Sequence, residues 1–190
     1  GSMYRRVDGL VVMAPDQGVY DLGHPALSDV PVVYVNTSVE QVPESLNIQN
    51  EKGFRLMTEH LLQKGHRKLA LIKGPENSTD PVERQRGFRK ALEKYGIEHD
   101  TLEVEGFFTR ESGYKAARDI LDSGLDPTAI LATNDMSALG ALSALLEAGV
   151  RVPEQVALSG FDDIASARYS TPSLSTVKVP IRLMGEWAVT

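Results

Sequence analysis

Hydrophobic positions between residues 50 and 162 form two alternating kinds of segment. Short, nearly continuous apolar runs predict buried β-strands at 68–74, 101–108, 128–133 and 155–161. Longer segments of helical character predict α-helices at 50–65, 80–96, 109–124 and 136–149. Strands that alternate with helices of this length are joined by right-handed crossovers. The pattern therefore predicts an α/β fold with a parallel sheet and helices on both faces.

Polar and small residues mark the ends of these helices. Asn50 is the predicted N-cap of the first helix. Asp80 is the predicted N-cap of the second, with Pro81 in its first helical position and Glu83 completing a capping box. A glycine closes each helix, at Gly65, Gly96, Gly124 and Gly149.

The two ends of the chain show a different pattern. Strands are predicted at 6–14 and 30–36 with a loop at 15–29 between them, and Gly1-Ser2-Met3 resembles a cloning remnant. A polar connection at 164–175 leads to a predicted strand at 176–180 and the start of a helix at 181–190. We interpret 50–175 as one nearly complete lobe with its connection, and 4–49 with 176–190 as part of a second.

The formal net charge of −6 narrows the range of partners. A nucleic-acid-binding surface usually needs a basic stripe, whereas the 20 Lys and Arg of this chain are dispersed. The chain has no Cys, which excludes disulfides, zinc–thiolate sites and thiol catalysis and leaves the cytoplasm permitted. No apolar run approaches the ~20 residues of a membrane span, and no signal peptide is recognised at the start.

Polar and aromatic residues follow each predicted strand of the middle segment. Because parallel strands end on the same edge of a sheet, where open α/β folds bind ligands, these residues are expected to converge. They are Arg84, Phe107, Phe108, Asn134, Asp135, Phe161, Asp162 and Asp163. A guanidinium, an aromatic face, an amide and a carboxylate together suit a polyol or a heterocycle.

Each of these residues also has a purely structural interpretation. Asn134, Asp135, Asp162 and Asp163 could cap turns and helices, Arg84 could be a solvated helix residue, and Phe107 or Phe108 could belong to the core. The sequence ALSG lacks the first glycine of a nucleophile elbow, and no strand ends in a phosphate-binding loop. The four His show no metal-ligand spacing. We therefore predict no catalytic residue, no metal site and no cofactor.

At these residues the chain resembles a known family, the lactose-repressor/galactose-repressor regulators. The resemblance is strongest in ATNDMSALGALSALLEAGVRVPEQVALSGFDDIASARYSTPSLSTVKVP and is supported by VDGLVVMAP, ERQRGFRKAL and SGYKAA. It implies a type I periplasmic-binding-protein-like fold of two lobes with a small molecule in the cleft, preceded by a helix-turn-helix module that binds operator DNA. The resemblance thus implies a ligand-sensing, cytoplasmic transcriptional regulator and not an enzyme.

The resemblance also implies roles for individual residues. Arg84 resembles the arginine that holds the effector, Asn134 and Asp162 the amide and carboxylate that bind it, and Phe108 the aromatic that stacks on it. Asn36 resembles a cleft residue of the other lobe. Of the acidic pair, we expect Asp162 to face the ligand and Asp163 to support the turn. The helix 137–148 and the segment 165–170 are expected near the dimer interface of a homodimer.

The chain departs from the family pattern at its ends. The DNA-binding module and the opening part of the first lobe are not in this sequence, so we expect 4–49 and 176–190 to pack on another copy or to expose an apolar surface. The effector is expected to be a sugar or nucleoside rather than a purine base. The rival hypotheses are a periplasmic sugar-binding protein of a transporter and an enzyme acting on a sugar or nucleotide.

Overall fold

A computed structural model describes residues 7–13, 30–36, 45–97 and 99–189. The described residues up to Ile48, the stretch Asn77–Thr79 and the residues from Pro180 form a first unit, and Gln49–Glu76 with Asp80–Val179 form a second. The described strands are β1 Leu10–Met13, β2 Val32–Val35, β3 Ser45–Leu46, β4 Leu69–Ile72, β5 Thr101–Val104, β6 Ala129–Ala132, β7 Ala157–Asp162 and β8 Ser175–Lys178. The described helices are α1 Asn50–Gln63, α2 Thr79–Tyr95, α3 Arg110–Asp122, α4 Asp135–Glu147, α5 Ala165–Tyr169 and α6 Ile181–Ala188.

The second unit is built on a parallel five-stranded sheet in the order β5-β4-β6-β7-β8. The central strands β4 and β6 are buried along their whole length, which explains why their sequences are uninterrupted apolar runs. The core that packs on the sheet is formed by Ala and branched aliphatic residues of β4, β6, β7, α3 and α4. The predicted α/β fold with a parallel sheet is confirmed.

The ends of the helices confirm some predictions and correct others. All four predicted glycine stops have positive φ, between 65° at Gly96 and 95° at Gly65. The predicted N-cap roles of Asn50 and Asp80 are wrong. The N-cap of α1 is Gln49, and α2 already begins at Thr79, so Asp80 and Asn50 lie inside their helices and their side chains bond elsewhere.

Two differences concern the region after β7. The connection 164–175, predicted only to be polar, contains the short helix α5. The sequence pattern places the strand 176–180 in the partial second lobe with 4–49, but β8 pairs in parallel with β7 of the five-stranded sheet. This strand therefore lies in the second unit, and the first unit resumes only at Pro180.

Helices α3 and α4 pack with their backbones in close approach. A Cβ atom at Gly140 would overlap the backbone oxygen of Arg110, and one at Gly113 would overlap that of Ser137. Alanine would be the better helix former at both positions, so glycine is required here by the packing rather than by the helix. Because the atoms met are backbone atoms, a rotamer change cannot relieve either overlap.

Replacing Gly140 with alanine is accordingly expected to lower the free energy of unfolding by roughly 2 kcal/mol, the cost of overpacking less the gain in helix propensity. Chemical denaturation followed by far-UV circular dichroism measures the change. Gly185→Ala is the matched control, because Gly185 lies inside α6 and a Cβ there meets no atom of the described residues within 4 Å. A neutral Gly140→Ala variant would contradict the tight packing of α3 on α4.

The first unit contains a parallel three-stranded sheet in the order β1-β2-β3. Helix α6 packs against β2 within the same unit. Several large apolar side chains of this unit are exposed: Val11, Met13, Ile181, Trp187 and Val189. These exposures agree with the apolar surface expected of 4–49 and 176–190, whereas packing on another copy stays a prediction. The predicted loop 15–29 lies outside the described residues. Among the described helices, none is both long and apolar enough to span a bilayer.

Candidate functional site

Arg84 occupies the centre of the second unit's polar network. It lies on α2, and only 3% of it is exposed to solvent. A buried guanidinium is uncommon in proteins unless it is paired and hydrogen-bonded. The alternative that Arg84 is a solvated helix residue is therefore wrong.

Four groups surround the guanidinium of Arg84. Its Nε donates a hydrogen bond to Oδ1 of Asn50 at 2.8 Å, and its Nη1 donates to the backbone oxygen of Thr133 at 2.6 Å. Nη1 also lies 3.2 Å from Oδ1 of Asp162. The carboxylate of Asp80 lies 3.9 Å from Nη2, which is an ion-pair distance but too long for a hydrogen bond. Residues from α1, α2, β7 and the end of β6 thus meet at one cation.

An aromatic layer supports the guanidinium from one side. The Cζ atom of Arg84 lies 3.9 Å from the ring centroid of Phe161, close enough for a cation–π interaction. Phe161 is itself 1% exposed and stacks on Phe54 with 6.1 Å between ring centroids. A Cβ atom at Gly53 would lie 3.0 Å from the Phe161 ring, so the absence of a side chain there makes room for the aromatic residue. The predicted position of Phe161 beside the site is explained by this supporting role.

Asp162 has an unusual backbone conformation, and its carboxyl group is buried where ionisation is unfavourable. Its φ is 114°, at the end of β7, and its carboxyl group points to Arg84. Burial raises the pKa of Asp162 to about 6, although the nearby Arg84 acts in the opposite direction. Strained backbone and a perturbed carboxyl group are features that concentrate at functional sites.

Asp135 stabilises the structure around Asp162 through hydrogen bonds. It is fully buried, and its two oxygens accept hydrogen bonds from Oγ1 of Thr176 at 2.6 Å and from the backbone N–H of Ile164 at 2.9 Å. Burial raises its pKa above the ordinary value. Asp135 therefore ties β8 and the turn after β7 to the start of α4. The backbone N–H of Asp163 donates to the same Thr176 hydroxyl at 3.3 Å, and Asp163 has a φ of 59°, as expected of a residue in the turn.

Asn134 is the N-cap of α4, as its structural interpretation predicts. Its Oδ1 accepts from the backbone N–H of Ser137 at 2.9 Å, and its Nδ2 donates to the backbone oxygen of Phe108 at 3.1 Å. Both polar atoms are thus engaged within the unit. The side chain holds the Phe108 backbone in position, and direct contact of Asn134 with an effector remains a prediction.

Phe107 and Phe108 follow β5, which ends at Val104 and is shorter than predicted. Phe108 has a φ of 61° and is half-buried, and a Cβ atom at Gly74 would lie 2.6 Å from its ring. The ring therefore packs on the bare backbone of Gly74. Phe107 is 62% exposed. Neither Phe107 nor Phe108 is fully buried, so the alternative that one of them is a core residue is wrong.

Asn50, predicted to be an N-cap, instead belongs to the hydrogen-bond network of Arg84. It is 2% exposed, and its Nδ2 donates to Oδ1 of Asp80 at 3.0 Å and to Oε2 of Glu83 at 3.2 Å. Together with its bond from Arg84, this satisfies both ends of the amide. A polar residue at the start of a helix is most simply explained as a cap, so the sequence offers no signal for this inward orientation.

Comparison with known proteins identifies the family. A family model described as a periplasmic binding protein-like domain matches residues 58–190. The transcriptional regulator CelR of Thermobifida fusca is 41% identical over 161 residues, or 82% of this chain and 47% of CelR. A structure of a CelR–cellobiose complex has a TM-score of 0.80 at 38% identity and covers 96% of this chain and 57% of that chain. For a dimeric Lac repressor the TM-score is 0.86 at 34% identity, covering 97% of this chain and 68% of that chain. The chain belongs to the LacI family.

Membership of the LacI family confirms the resemblance and the periplasmic-binding-protein-like fold. The relatives reported are transcriptional regulators rather than transporter components or enzymes, which favours a regulator over both rival hypotheses. The chain spans about half the length of the curated relatives it matches, between 47% and 56% of the first ones.

Asn36, the remaining predicted site residue of this LacI-family chain, lies in the first unit directly after β2. Its φ is 53°, and its backbone N–H donates to the oxygen of Leu46 at 2.9 Å. A positive φ at an asparagine after a strand is typical of a turn as well as of a ligand site. Its effector-binding role therefore remains a prediction. Among the described residues, no group of three or more His, Asp or Glu is arranged to hold a metal ion.

Proposed function

We propose that this chain is the effector-binding portion of a LacI-family transcriptional regulator and that it binds a sugar. The observation that carries the proposal is the pairing of Arg84 with Asp162 at the carboxyl edge of the parallel sheet. Ligands of open α/β folds bind at that edge. A carboxylate and a forked guanidinium suit the hydroxyl groups of a sugar, and the half-buried Phe108 offers an aromatic face for the apolar side of its ring.

The roles of the individual residues follow from this proposal. Asp162 accepts hydrogen bonds from hydroxyl groups of the sugar, and Arg84 donates to its oxygens. Phe108 stacks on the ring, and Asn134 binds through the one N–H of Nδ2 that is not used on Phe108. Asn36 is a further proposed effector-binding residue. The cellobiose complex of the related CelR supports a sugar as the effector.

A screen of sugars by thermal shift tests the proposal. Cellobiose, simple hexoses and pentoses, and nucleosides are added to the chain, and we expect one sugar to raise the melting temperature in a concentration-dependent way. At 100 times the dissociation constant the stabilisation is about 2.7 kcal/mol. Stabilisation by a nucleoside instead of any sugar would replace the sugar proposal with a nucleoside effector.

Substitutions of the adjacent Phe107 and Phe108 test whether an aromatic ring stacks on the bound sugar. Phe108→Ala is expected to weaken the binding of that sugar by about fivefold, because one stacking interaction is worth roughly 1 kcal/mol. Phe107→Ala, one residue away and exposed, is expected to leave the affinity unchanged. Isothermal titration calorimetry of both variants measures the difference. Equal effects of the two substitutions would remove Phe108 from the site.

The full-length parent is proposed to act in the cytoplasm as a homodimer on operator DNA. The DNA is bound through a helix-turn-helix module that precedes this segment, and the effector shifts the population of lobe arrangements that the module senses. Helix α4 and the segment 165–170 are proposed to lie near the dimer interface, where Leu146 and Tyr169 are exposed at 46% and 81%. The dimeric state of the related Lac repressor supports this proposal.

A further inference from the structure

The charges around Arg84 do not balance. Asp162 and Asp80 lie 3.2 Å and 3.9 Å from its two terminal nitrogens. Two carboxylates therefore face one guanidinium. Arg84 also stacks on Phe161, so its positive charge is already used within the protein.

Two further cations follow or end strands at this edge of the sheet, and neither compensates Asp162. Lys73, directly after β4, forms ion pairs with Glu105 and, at 3.5 Å, with Glu76. Lys178 is the register partner of Asp162 on β8, but its side chain is exposed, and in the described part of the chain no ion pair joins it to Asp162. An exposed charge is screened by water and salt and compensates little. Among its described residues, the second unit thus offers no buried unmatched cation beside Asp162, since Lys178 is exposed.

The sequence of the first unit contains more negative than positive charge. Residues 1–48 contain six Asp and Glu and two Arg, at positions 5 and 6. In α6, Arg182 is 2.9 Å from Glu186 of the same helix.

We infer that Asp80, together with Asp162, makes this site selective for charge, so that the part of the effector seated against Arg84 is neutral or positively charged and never a phosphate or carboxylate group. Asp80 is the specificity-determining residue that the sequence analysis did not single out as such. Its Oδ1 is fixed by Nδ2 of Asn50 at 3.0 Å, which holds its carboxylate toward Arg84. The inference rests on the proposed effector site, and it excludes phosphorylated sugars and sugar acids from that position.

Inorganic phosphate is the probe that tests this inference without knowledge of the effector. We expect the wild-type chain to show no saturable phosphate binding by calorimetry in low salt. The double variant Asp80→Asn/Asp162→Asn leaves Arg84 with surplus charge, and we expect it to bind phosphate at least tenfold more tightly than the wild type. Asp162→Asn alone removes one carboxylate and is expected to lie between them. Circular dichroism confirms that each variant is folded.

Two outcomes overturn the inference. Saturable phosphate binding by the wild-type chain that disappears in Arg84→Gln would place an anion at this guanidinium. A folded double variant that gains no phosphate affinity would show that the carboxylates of Asp80 and Asp162 do not exclude anions. If the double variant does not fold, Asp162→Asn alone supplies the same comparison.

Paired sugar probes separate this inference from the proposed function. Glucose, glucosamine and glucose 6-phosphate share one ring and differ in charge, and we expect glucose 6-phosphate to bind at least tenfold more weakly than glucose. Tighter binding of the phosphate than of the neutral sugar would overturn the inference and leave the sugar site intact. Absence of all sugar binding, with the phosphate results as expected, would count against the proposed function alone.

Discussion

Replacing Arg84 with methionine is expected to lower the free energy of unfolding of the second unit by about 3–5 kcal/mol. The substitution keeps much of the side-chain length but removes the charge. The carboxylates of Asp162 and Asp80 then lose their cation, and the oxygens of Asn50 and Thr133 lose their donor. Breaking a buried ionic network by removing one partner leaves the remaining charges without compensation, which costs more than the network contributes in net stability.

Arg86→Met is the matched control for this prediction. Arg86 lies two residues further along α2, its side chain is 58% exposed, and its ion pair with Glu51 is 3.8 Å long. Exposed pairs of this kind contribute little, so the control is expected to change stability by less than about 1 kcal/mol. Far-UV circular dichroism is the appropriate measurement, because the single tryptophan, Trp187, lies in the other unit. Equal losses for both variants would contradict a central role of Arg84.

Arg84→Lys separates the charge of the network from its geometry. A lysine restores a cation but not the forked donors or the planar group that stacks on Phe161. We expect it to recover only part of the stability lost with methionine. This distinction matters for function, since the guanidinium is positioned by the protein before any effector binds.

The order and type of the secondary-structure elements were predictable because strands and helices alternate regularly through most of the second unit. Buried parallel strands such as β4 and β6 are apolar throughout, and each following helix ends in a glycine with positive φ. Such signals are local, and a single sequence contains them. The convergence of Arg84 and Asp162 was predictable for a related reason, because parallel strands bring their ends to one edge.

The roles of Asn50 and Asp80 were not predictable, because they depend on how helices α1 and α2 face one another. Both residues stand at helix starts, where capping explains them equally well. The membership of β8 in the five-stranded sheet is likewise a matter of tertiary pairing that a strand pattern does not contain. The early end of β5 coincides with Gly106, where a Cβ atom would overlap the backbone oxygen of Lys73. The sequence pattern therefore predicted that Arg84 and Asp162 converge, but not the hydrogen-bond network that holds them.

Replacing Asp162 with asparagine is expected to have opposite effects on stability and on effector binding. At pH 7.5 the variant is expected to be more stable than the wild type by about 1–3 kcal/mol, because burial raises the pKa of Asp162 to about 6 and ionisation therefore costs folding free energy. Effector affinity is expected to fall by at least tenfold, since hydrogen bonds to a charged acceptor are stronger than those to an amide. Such opposition is common where a functional residue is kept at the expense of stability.

The raised pKa of Asp162 determines how the stability difference between the wild type and Asp162→Asn changes with pH. The ordinary pKa of an aspartate is 3.8, so between about pH 4 and 6 the folded chain binds more protons at Asp162 than the unfolded chain does. The contribution of Asp162 to stability is therefore present below pH 4 and is lost as the pH rises through 6. The asparagine variant lacks this loss, so the stability difference between the two proteins should be large at pH 7.5 and close to zero at pH 4.

Asp163→Asn is the matched control, because Asp163 is the neighbouring aspartate and also has a positive φ, at 59°. It is expected to change stability by less than about 0.5 kcal/mol, as is usual for a residue outside a buried charged network. Denaturation curves of the wild type and both variants at pH 4, 6 and 7.5 measure the differences. An Asp162→Asn variant that is less stable than the wild type at pH 7.5 would mean that attraction to Arg84 outweighs burial. The Arg84–Asp162 pair would then be a structural ion pair, and its carboxylate would have no unmet charge for an effector to satisfy.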